Sequence, residues 1–107
     1  MKTGRGKFIV EAQVGHIVIS LAGRDKERLF YVLKTEENFV YLADGKLRRI
    51  ENCKKKRRRH VRVVGSSQSY VGERLRSGKE VLNSEMRKAL LEFLKTHLQA
   101  EGGNLLG

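Results

Sequence analysis

The chain has 107 residues, with 23 Lys and Arg against 12 Asp and Glu and a formal charge of +11 at neutral pH. That length accommodates one modest core and excludes two independent ones joined by a linker. So one-sided a charge repels itself unless an anionic partner binds, nucleic acid above all, while a membrane surface would need an apolar face beside the charge that this chain lacks.

The start, MKTGRGKFIVEAQVGH, lacks the apolar middle of a signal peptide, and no run approaches the ~18 consecutive apolar residues of a spanning helix, so a cytoplasmic protein with no membrane partner is expected. Residues 11–64 then read as short strands, because apolar and β-branched runs alternate with polar turn clusters too closely for helices. Between Gly15 and Gly23, Ile17, Ile19 and Leu21 alternate with His16, Val18 and Ser20, which predicts that the first set points inward and that His16 is an exposed strand-start residue. Leu29 to Lys34 and Phe39 to Leu42 are denser runs, joined by Thr35-Glu36-Glu37-Asn38, a hairpin turn by composition. Asp44-Gly45 suits a type I′ turn and predicts a return strand from Lys46 to Glu51, with a last strand around Val61 and Val63. Strands of this length joined by hairpins close most economically as a small barrel, since closure removes exposed edges.

Residues 65–82 follow as a Ser- and Gly-rich linker, GSSQSYVGERLRSG at its core, with neither helical nor strand period. A C-terminal helix over 83–101 is marked by Asn83 or Ser84 as cap, Glu85 in the first turn, and an apolar stripe of Met86, Ala89, Leu90, Phe93, Leu94, His97 and Leu98. Gly102-Gly103 is its expected stop, and the stripe is expected to pack on the barrel or on a second copy. The fold class is therefore mainly β, a small barrel with a C-terminal α-helix.

Charge is concentrated. Between Lys46 and Arg62 stand ten cations, Lys46, Arg48, Arg49, Lys54, Lys55, Lys56, Arg57, Arg58, Arg59 and Arg62, opposed only by Glu51. The tract KKKRRR is held between two strands, which limits the entropy lost when it binds. Arg forks onto phosphate oxygens or stacks on bases and Lys acts as a mobile point charge, a mixture suited to backbone binding with little sequence choice. The turn Gly23-Arg24-Asp25-Lys26-Glu27-Arg28 supplies a second group of cations. Cys53 stands alone, excluding an intramolecular disulfide, and is expected as a small half-buried residue near a strand end. With no partners at ligand spacing for Cys53, His16, His60 or His97, no metal site, no cofactor and no catalytic constellation is expected, and the chain reads as a binding protein rather than an enzyme.

The string GHIVISLAGRDKERLFYV resembles the KOW motif, a strand running through a glycine-containing basic turn into a second strand, with Gly23 at the motif's glycine. With YLADGKLRRIENCKKKRRRHVRVV and, more loosely, NSEMRKALLEFL, the chain is similar to KOW-domain ribosomal proteins of the fourteen-e type and their small bacterial relatives. The resemblance implies an SH3-like barrel and an RNA partner, ribosomal or otherwise structured, with the ribosome itself a candidate. It implies RNA contact by Gly23, Arg24, Lys26, Arg28, Arg48 and Arg49; charge alone adds Lys54, Lys55, Lys56, Arg57, Arg58, Arg59 and Arg62. A different class of function stays open, a protein-interaction module whose barrel binds an acidic protein partner.

Overall fold

The computed structural model describes residues 11–106, with side chains placed through residue 97. Five strands form one antiparallel sheet: β1 (Ile17–Ser20), β2 (Leu29–Thr35), β3 (Phe39–Ala43), β4 (Lys54–Arg57) and β5 (Val61–Gly65), in the order β4-β3-β2-β1-β5. β4 and β5 are consecutive in the chain yet occupy opposite edges, and only the three-residue 3-10 turn Arg58–His60 joins them. Four strand spacings of ~4.8 Å would set flat edges ~19 Å apart. A three-residue 3-10 link cannot bridge that at ~2 Å per residue. The sheet therefore rolls until its edges approach, giving a small barrel-like body.

Rolling makes an inside and an outside, and both are apolar. Val18, Phe30, Val32, Val40 and Leu42 fill the inside with Ala12. Ile17, Tyr31 and Ala43 face outward, under Val71, Val81, Met86 and Leu90. Those last four come from two helices, α1 (Tyr70–Arg76) and α2 (Asn83–Leu106), and from the segment between them. This is why alternation misplaces β1: Val18 and Ser20 are fully buried, Ile17 is buried under the helices, and Leu21 is exposed. His16 is half-buried rather than exposed, its Nδ1 accepting the Gln13 N–H at 3.0 Å.

Several other expectations change. The span 65–82 is not a plain linker, because α1 lies within it, with the Ser69 hydroxyl accepting the Gly72 N–H at 3.0 Å as its cap. Two turns are too short to show a period, and burial of Val71 and Gly72 supplies the stability that propensity does not. No strand forms from Lys46 to Glu51. The Asp44 carboxylate instead accepts the N–H groups of Lys46 and Arg48 at 2.8 and 2.9 Å, and the chain continues into a 3-10 turn, Ile50–Asn52. Only Gly45 of the Asp44-Gly45 pair has positive φ, +79°, where a type I′ turn needs two such residues. The return strand is β4, made of the basic tract itself. Gly102-Gly103 does not stop α2, which runs on to Leu106.

α2 docks as expected through Met86 and Leu90, with Ala89 and Phe93 half-buried beside them. Leu94 is exposed and His97 is an exposed side chain stacked on Phe93 at 4.7 Å; the Leu98 side chain and the amino-terminal residues 1–10 lie outside the described set. Asn83 does not cap α2 but stitches it to the barrel, accepting the Ile50 N–H at 2.8 Å and donating to Glu51 at 2.9 Å. Glu85 takes the Leu82 N–H at 2.9 Å. Cys53 is half-buried just before β4, as expected. Among the described residues no helix is long and apolar enough to cross a membrane.

Candidate nucleic-acid interface

The basic tract is ordered, and strand geometry divides it. In β4, Lys54 and Lys56 pair with Leu42 and Val40, whose side chains fill the inside, while Lys55 and Arg57 pair with Tyr41 and Phe39 on the outside. Lys56 is consequently a buried ammonium, 8 % exposed. It donates to the Ala22 carbonyl at 2.8 Å and to Asp25 Oδ1 at 2.9 Å.

Asp25 is equally enclosed. The Ser20 hydroxyl donates to its Oδ1 at 2.7 Å, and the Lys54 ammonium lies 2.9 Å from Oδ2 as an ion pair without hydrogen-bond alignment. Burial alone pushes this carboxyl up, but Lys54, Lys56 and Ser20 more than reverse that and hold it well below the usual carboxylate range. One carboxylate inside the basic turn thus fastens the turn to the inward side of β4. The turn accommodates it through Gly23, whose φ is +91°, and Glu27 at +72°. A Cβ at Gly23 would come within 3.3 Å of the Lys56 ammonium.

The fastening creates a cleft of about 220 Å³ at one end of the barrel, lined by Arg24, Asp25, Arg28, Phe30, Leu47, Arg48 and Lys54. Its four cations come from the turn, the loop after β3 and β4. Among the described residues Arg24, Arg28 and Arg48 make no ion pair, so their charge is available to a ligand. The Arg48 N–H is fixed by Asp44, which sets where that side chain leaves the backbone.

The remaining expected residues are dispersed. Lys26 is exposed at the tip of the turn, and Arg49 is exposed beside Glu51 at 3.5 Å. Arg59 and Arg62 are exposed on the 3-10 turn and on β5. Two members of the set are occupied inside the protein. Lys56 is sequestered as described, and Arg58 is bound to the carbonyls of Glu36 and Ala12, both at 2.9 Å, with Glu11 at 3.6 Å. A run of like charges does not reveal this, because the opposing carboxylate stands 31 residues away. Asp25 is a site residue that charge counting passes over, although the sequence carries a signal for it: a single acid between Arg24 and Lys26, near the small polar Ser20 in an apolar strand.

No family model matches this chain, and no curated protein matches it.

Proposed function

We propose that the protein is a non-enzymatic RNA-binding protein, a KOW-type SH3-like barrel associated with translation in the cytoplasm, which holds backbone phosphate in the cleft between the basic turn and β4. The observation that carries this reading is the convergence of Arg24, Arg28, Arg48 and Lys54, from three separate segments, on one cleft. Cations converging on an open cleft suit a phosphodiester better than a neutral ligand, and guanidinium groups match phosphate geometry in particular. Leu47, exposed at the rim, gives the cleft an apolar edge against which a sugar can rest. The rolled five-strand sheet and the basic turn at Gly23 agree with the KOW resemblance. Structured RNA, ribosomal RNA first among the candidates, is the partner this arrangement favours.

The test is a titration of an RNA hairpin against the wild type and Arg24→Gln/Arg48→Gln. The double variant should weaken binding by about 1 to 3 kcal/mol and flatten the salt dependence by about one unit for each lost phosphate contact. Unchanged affinity would remove the cleft from the interface. Tight binding of an acidic peptide with none of RNA would replace this reading with the protein-interaction one.

A further inference from the structure

The outward half of β4 forms a second surface whose chemistry differs from that of the cleft. Phe39 and Tyr41 point out of β3 on the face that carries Ala43, but Ala43 lies in the core under the helices, whereas neither ring belongs to a core cluster. Both rings are only half-buried, and three cations lie over them. Lys55 Nζ is 4.3 Å from the Phe39 ring centre and 5.9 Å from that of Tyr41; Arg57 is 5.1 Å from Phe39, and Lys34 is 5.2 Å from Tyr41. One carboxylate opposes them: Glu36 accepts the Tyr41 hydroxyl at 3.1 Å and lies 3.9 Å from Lys55 and 4.0 Å from Lys34.

We propose that this face is a platform for single-stranded RNA, with bases stacked on Phe39 and Tyr41 and phosphates held by Lys34, Lys55 and Arg57. The proposal rests on the RNA-binding reading above and adds a second, differently selective site to it. Alternate positions on a strand are about 6.8 Å apart, whereas stacked bases in a duplex rise by about 3.4 Å. The faces of duplex bases are in any case covered by their stacked neighbours and cannot lie on a ring, whereas the bases of an unstacked strand can. Stacking on aromatic rings tolerates any base, because every base has a π-face. The cations already resting on the rings pass to the phosphates as bases take their place, so their charge stays paired throughout. Strand parity thus divides the tract between two ligands: Lys54 serves the cleft, and Lys55 and Arg57 serve the platform.

The experiment measures affinity for an oligouridylate and for an RNA hairpin by fluorescence anisotropy at two salt concentrations. Replacing both rings, Phe39→Thr with Tyr41→Thr, keeps β-branched residues at strand positions. This pair should bind the oligouridylate about tenfold or more weakly, with hairpin affinity held within about twofold and the salt slope unchanged. The exchange Phe39→Tyr with Tyr41→Phe should retain affinity. Ultraviolet crosslinking of uridine to the wild type provides a readout independent of stability, and the adduct should map to the peptide carrying Phe39 and Tyr41. An adduct on any other segment, or unaltered oligouridylate affinity in the Thr pair, overturns the platform. Wild type that binds the hairpin but not the oligouridylate also overturns it while leaving the cleft standing. Binding to neither RNA defeats the underlying reading.

Discussion

Truncating Asp25 would leave the Lys56 ammonium buried opposite Val40 with only the Ala22 carbonyl to hold it. Removing one partner of a buried pair costs about 3 to 5 kcal/mol, so Asp25→Ala should lower the urea midpoint sharply. Lys56→Met should cost clearly less, because Asp25 keeps Ser20 and Lys54. The pair also sets a pH dependence. Since the folded carboxyl titrates below an unfolded one, its contribution is complete above about pH 4 and is lost as the pH falls toward the folded value. Stability should therefore decline from pH 4 to pH 2 in the wild type and decline less in Asp25→Asn, as measured by denaturant melts across that range. At Gly23 the left-handed backbone adds a separate constraint. Gly23→Val should cost about 1 to 2 kcal/mol from backbone strain and, by crowding Lys56, should also weaken binding of a hairpin RNA.

Among the elements, α2 is anchored by Met86 and Leu90 rather than by the residue that dominates its apolar stripe, Phe93. Met86→Ala should cost about 2 to 5 kcal/mol and Phe93→Ala less than a fully buried Phe would, whereas Leu94→Ala should stay within about 0.5 kcal/mol, all read from urea unfolding. In the short helix α1, Ser69→Ala should cost about 1 kcal/mol through the lost cap. The strands β2, β3 and β5, the 36–38 turn and the docking of α2 were legible because each depends on local pattern or turn chemistry. The misread elements depended on something distant. β4 looks like a charged loop until its inward lysines meet Asp25, and β1 is apolar on both faces because helices cover the outside of the barrel. Of the site, the turn and the tract were legible as charge. Their junction was not, because it rests on one carboxylate that joins strand ends far apart in the chain. Nor does sequence show which cations are occupied: Lys56 looks the same as Lys55 and Arg57 until strand parity separates them, and Arg58 until the carbonyls of Glu36 and Ala12 are brought to it.

At the scale of the whole molecule, the net charge and the cleft together predict binding that weakens steeply with salt. Neutralising about four to six phosphates should give a log-log slope of roughly −3 to −5 for a structured RNA, and a slope near zero would dismiss the electrostatic mechanism. The same molecule-wide geometry has a consequence for how the protein is made. β1 pairs Val18 with Val63 of β5, so the edge of its first strand stays open until the last strand has been synthesised. A chain released to Arg57 and no further would already contain four strands, yet would expose the unpaired backbone of β1 and an unclosed apolar interior. Chaperones and proteases would meet this small protein as an open, aggregation-prone sheet until the turn after β4 has carried the chain across the gap and α1 and α2 have covered Ile17, Tyr31 and Ala43.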